Sequence, residues 1–213
     1  RRFARSAIVV TAAGTLGLGI AGFTRSTTIE MSDQPKDAWL KGINGKHGQV
    51  FDTPAPGGGI PLVHVMNYYD TYNKVYGVKD SDIDAVFTFY GGVTLHALKD
   101  GMWSKYKLGE FLKINGADGK PATANPWRSS VEALGLSIPA ASIEALQKRG
   151  ATMLLCNNAL GVFSQLVAKA NGLEQTVVYN DMKANMLPGV ELVPAMVIAI
   201  GQAQKKGLTY LRN

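Results

Sequence analysis

Cys156 is the single cysteine of the 213-residue chain. A lone thiol cannot close an internal disulfide, so any chemistry it does is done as a free sulfur. It ends the apolar run Ala151 to Cys156 (ATMLLC) and stands just before a helical stretch from about residue 159 to 170. Such a run predicts a buried strand. Open α/β sheets place ligands at the carboxyl ends of their strands, and a helix N-terminus favours the thiolate, the nucleophilic form. Asn157 and Asn158 follow at once and could hydrogen-bond the sulfur. The competing reading is an inert structural cysteine in a core strand. No basic residue adjoins the sulfur, and Arg149 lies at the far end of the strand.

The remaining candidates form no complete catalytic set. His47, His64 and His96 lack metal-ligand spacing, so neither a metal nor a cofactor is expected. His96 follows the Gly91-Gly92 turn, which could bring it to the same sheet edge as Cys156. The Gly57-Gly58-Gly59 loop lacks the lysine and hydroxyl of a phosphate-binding loop and reads as structural. Asp80, Asp82 and Asp84 lack the closing glutamate of a calcium loop. No G-x-S-x-G nucleophile elbow occurs. Tyr68, Tyr69, Tyr72 and Tyr76 recur at helical spacing, which suits core packing or, if exposed, a partner or the membrane interface.

The elements that must position these residues alternate. Strand patterns are predicted over residues 48–52, 83–90, 151–156, 190–193 and 208–211. Helical patterns cover 60–76, 93–98, 102–112, 140–149, 159–170, 173–184 and 195–206, with a short helix at 37–41. Residues 114–130 read as loop, with Gly116, Gly119, Pro121 and Pro126. Alternating helices and short apolar strands predict an α/β layered fold with a mostly parallel sheet.

The stretch from Arg149 to Leu160 (RGATMLLCNNAL) resembles the strand-Cys-helix segment of the DsrE-like family. Leu187 to Ala195 (LPGVELVPA) and Gly207 to Leu211 (GLTYL) resemble the same family's closing segments. The resemblance covers residues 46–213 and is most specific from about 140 onward. It implies a three-layer Rossmann-like or flavodoxin-like fold with five strands, and trimeric or hexameric assembly is common in the family. Sulfur-relay members carry a persulfide on a cysteine at the position that Cys156 matches. Residues 100–138 read as an insertion within this domain of 48–213. Fold likeness of this kind constrains activity weakly.

Ahead of the domain, Ser6 to Thr24 is a run of nineteen uncharged residues bounded by Arg5 and Arg25. As a helix it would span about 28 Å, close to the roughly 30 Å hydrocarbon core of a bilayer. Arg1-Arg2-Phe3 before this run resembles a twin-arginine export signal. No small-x-small cleavage site is evident, so residues 1–25 are expected to persist as a membrane anchor, with 26–47 as a tether. The arginine bias places the domain on the periplasmic side of a bacterial inner membrane. Ala13, Gly17 and Ala21 form a small-residue stripe that would let another membrane helix approach.

The net charge of +6 comes mostly from this leader. Without Arg1, Arg2, Arg5 and Arg25 the balance is 18 basic against 16 acidic residues. A nearly neutral domain without a basic face does not suit nucleic-acid binding. The first functional expectation is therefore a non-catalytic accessory subunit. It would dock on a membrane complex through its anchor and one domain face, against the lipid bilayer. The second is a sulfur-relay protein using Cys156, with Asn157, Asn158 and His96 in support. A homo-oligomer is compatible with both.

Overall fold

The computed structural model describes residues 37–213. The anchor, the Ala13, Gly17 and Ala21 stripe and most of the tether lie outside the described residues. The chain forms β1 (His47–Asp52), α1 (Ile60–Tyr76), β2 (Ile83–Phe89), α2 (Asp100–Lys105) and α3 (Leu108–Leu112). A small hairpin follows, β3 (Glu132–Ala133) and β4 (Leu136–Ser137). Then come α4 (Ile143–Lys148), β5 (Thr152–Cys156), α5 (Asn157–Asn171), α6 (Gln175–Ala184), β6 (Val190–Val193), α7 (Met196–Lys205) and β7 (Thr209–Arg212).

The main sheet has five strands in the order β6-β5-β2-β1-β7, all parallel. The protein is therefore α/β and Rossmann-like. The steps β1 to β2, β2 to β5 and β5 to β6 all move the same way. Right-handed crossovers then put α1, α4, α5 and α6 on one face. The step from β6 to β7 runs back across the sheet and puts α7 on the other. Side-chain alternation agrees. Val50, Val86, Leu154, Cys156 and Val193 share a buried cluster with Met196, Ala199 and Ala203 of α7. Phe51 and Phe87 point the other way, against Tyr68 of α1 and Trp127. Burial on both faces explains why β2 and β5 read as continuous apolar runs.

Local signals set the ends. α1 carries Pro61 in its first turn and stops at Gly77, whose N–H reaches the Tyr72 carbonyl. Ser142 caps α4, its Oγ accepting from the Ala145 N–H at 3.2 Å. Gly91 has a φ of 56°, and a Cβ there would lie 2.6 Å from the Pro54 carbonyl oxygen. That glycine lets the loops after β1 and β2 touch.

Three expectations change. The helix expected over 102–112 is two short helices, because Lys107 takes a left-handed φ of 50° between them. The helix expected at 93–98 is a 3-10 turn, Gly91–Ala97. The stretch assigned to a tether joins the core at its end: a 3-10 turn, Ala38–Gly42, leads into buried Ile43 and carries buried Trp39, both in the α7 cluster. Among the described residues no helix is long and apolar enough to cross a membrane.

Candidate functional site

Cys156 sits where the sequence places it, at the carboxyl end of β5. It serves as the N-cap of α5, and its Sγ accepts the Ala159 N–H at 3.4 Å. It also accepts the Met196 N–H, from the first residue of α7, at 3.3 Å. The first turns of two helices from opposite faces thus converge on one sulfur. Both donate a main-chain hydrogen bond to it from the positive end of a helix dipole. The residue is 6% exposed. Exposed Asn158, Val197 and Ile198 flank it in sequence and across α7.

The side chains expected to assist it do not. Asn157 turns to the other face, where its Oδ1 accepts the Tyr179 hydroxyl at 2.6 Å in a buried pair. Burial, partly opposed by that hydrogen bond, holds the Tyr179 hydroxyl above its ordinary pKa. Asn158 is exposed in the first turn of α5. The sulfur's partners are main-chain amides, set by the helix starts rather than by side-chain type.

His96 belongs to another cluster. It is 1% exposed, its ring centroid 4.0 Å from that of Trp127 at a 35° tilt and edge-on to Trp103 at 5.3 Å. Its Nδ1 has no hydrogen-bond partner. Burial pushes its pKa down to about 3, so the ring is neutral near pH 7. His96 lies in the turn at the carboxyl end of β2, the strand beside β5, but its ring is enclosed by two tryptophans of the insertion and is not among the hydrogen-bond partners of the sulfur. Asn125 fastens this corner by donating to the carbonyls of His96 and Leu98, both at 2.7 Å.

One carboxyl-edge cluster escaped the sequence. Asp52 ends β1 at 2% exposure, on the same face as Cys156. It accepts the Tyr90 hydroxyl at 2.6 Å and the Tyr210 hydroxyl, while Arg212 Nη1 stands 3.6 Å away. Burial and the Asp52 charge hold the Tyr90 hydroxyl well above its ordinary pKa, and the hydrogen bond to Asp52 does the same for Tyr210. Tyr90 also packs against the cluster that contains Cys156. No short motif marks this arrangement, since its members come from β1, β7 and the residue that follows β2.

No protein-family model, no curated protein and no solved structure matches the chain.

Proposed function

We propose that the protein carries sulfane sulfur on Cys156, as a relay between a donor and an acceptor. The observation that supports this most is the pair of main-chain amides on Sγ. Main-chain N–H donors at two helix starts can receive the charge that Sγ carries as it attacks a donor sulfur and again as it is released. The resemblance to the sulfur-relay branch of the DsrE-like family points the same way. In the step, the Cys156 thiolate attacks the outer sulfur of a donor R–S–S⁻ after its protonation to R–S–SH. The S–S bond breaks, R–S⁻ leaves, and Cys156 holds –S–SH. An acceptor thiolate then removes the outer sulfur and restores the Cys156 thiolate. No external oxidant or reductant is consumed.

Native protein treated with inorganic polysulfide should gain sulfur at Cys156, seen by intact-mass spectrometry and lost in Cys156→Ser. A native thiol that neither accepts sulfur nor reacts with iodoacetamide, but does both once unfolded, would sink the proposal.

A second reading is favoured by a separate observation. Val162, Leu166, Leu173 and Val177 are exposed along α5 and α6 at 55%, 46%, 48% and 59%. An apolar strip of this kind suits a protein partner. Here the domain is a membrane-anchored accessory subunit of an inner-membrane complex, held on the periplasmic side by residues 6–24, with a flavodoxin-like DsrE-type domain outside. Extraction in mild detergent, followed by mass spectrometry of what co-migrates, tests it. Recovery of the chain alone counts against it.

A further inference from the structure

The return of the chain from β6 to β7 leaves one strip of the sheet bare. Because α7 crosses on the Cys156 face, the opposite face of β1 and β7 has only α1 beside it. An open groove of 730 Å³ results, floored by β1 and Leu211 and walled by α1. Its wall is a ladder of rings. His47 lies 4.4 Å from Tyr72, Tyr68 4.9 Å from Tyr72, and Tyr72 5.5 Å from Tyr76. No Asp, Glu, Lys or Arg lines it.

The strand beside this groove is an edge. β7 ends the sheet, and among the described residues no strand lies beyond it. Such an edge presents main-chain N–H and C=O groups ready to pair. Exposed Lys206 precedes β7, and Arg212, with its side chain 66% exposed, ends it. The neutral aromatic groove lies on the α1 face of this edge, while Lys206, at the end of α7, and Arg212, beside Asp52, stand at the strand's two ends on the other face.

We propose that β7 and this groove bind an extended peptide segment of a partner protein, added to the sheet as a sixth strand. The edge supplies main-chain hydrogen bonds. The groove takes one uncharged aromatic or aliphatic side chain, and the ends take acidic residues. The groove is too open to enclose a small molecule, which is normally buried on most of its surface. A second copy of the chain is disfavoured by charge: residues 205–213 carry Lys205, Lys206 and Arg212 and no acidic residue, so two β7 edges would bring like charges together. The groove lies on the opposite face from Cys156.

The probe is a phage-displayed library of random dodecapeptides, panned on the full chain. Enriched peptides should show an alternating apolar segment with one aromatic residue, bracketed by Asp or Glu. A synthetic copy should bind about tenfold more weakly to Tyr72→Ala. It should also weaken on Lys206→Glu and as salt rises from about 50 to about 500 mM. Hydrogen exchange at residues 209–212 should slow when it is bound. Tyr76→Ala, at a ring 68% exposed, repeats the test without touching the core. Failure to enrich any peptide would overturn the proposal. So would peptides that bind Tyr72→Ala and Tyr76→Ala as well as the parent, or that leave the β7 amides unprotected. A β7-mediated dimer in sedimentation would replace it with self-pairing.

Discussion

His96 and Asp52 are equally removed from water, at 1% and 2% exposure, yet the protein treats them in opposite ways. His96 lies under the insertion, between two indoles, with Nδ1 unpartnered, and stays neutral. Asp52 lies on the face covered by one helix, between two phenol donors and near a guanidinium. Under the insertion, burial keeps the His96 ring uncharged. At the carboxyl ends of β1 and β5 polar groups are kept by supplying partners, phenols to Asp52 and two amides to Cys156. Burial alone therefore does not mark an inert group here.

This contrast can be broken. Trp103→Ala removes a fully buried indole from the His96 corner and should cost about 3–5 kcal/mol in denaturant unfolding. A loss under about 1 kcal/mol would mean that the insertion is not a packed layer. Acid should act next. With the folded His96 pKa near 3 and the unfolded value near 6.5, the unfolded chain binds the extra proton. This stability is whole above pH about 6.5 and falls by about 1.4 kcal/mol per pH unit as pH drops toward 3. His96→Leu should flatten urea midpoints across that range, and an unchanged slope would place the acid sensitivity elsewhere.

On the other face, Asp52→Asn should cost about 1–3 kcal/mol, because two phenols lose a charged acceptor. Tyr90→Phe should cost less, since the Tyr210 bond survives. Parity with wild type would show that the cluster adds nothing to the fold. The smallest effect belongs to the hairpin. Leu134 holds a left-handed φ of 55° before Gly135 and is 83% exposed. Leu134→Asn gives the turn its preferred pair and should raise stability by about 0.5–1 kcal/mol in thermal unfolding.

The layered plan was legible because its signals are local. Met153 to Cys156 is a short buried run that meets a helix, and Val190 to Val193 lies between a glycine and a proline. Those same signals placed Cys156 at a strand end. What stayed hidden depends on distance in sequence. Trp103 and Trp127 reach His96 only once the insertion folds back. Asp52 meets Tyr210 only through strand register, across more than a hundred residues. The start of α7 was legible to within a residue, but not that the pairing of β5 with β6 sets its first amide against Cys156.

Trp39 and Ile43 have a mechanical corollary. Force applied to the chain ahead of residue 38 would reach these two side chains before any strand of the sheet. They share a cluster with α7, whose first amide rests on Cys156. Tension from that end would peel the lightly covered face first and loosen the helix start beside the thiol, while the four-helix face still carried no load.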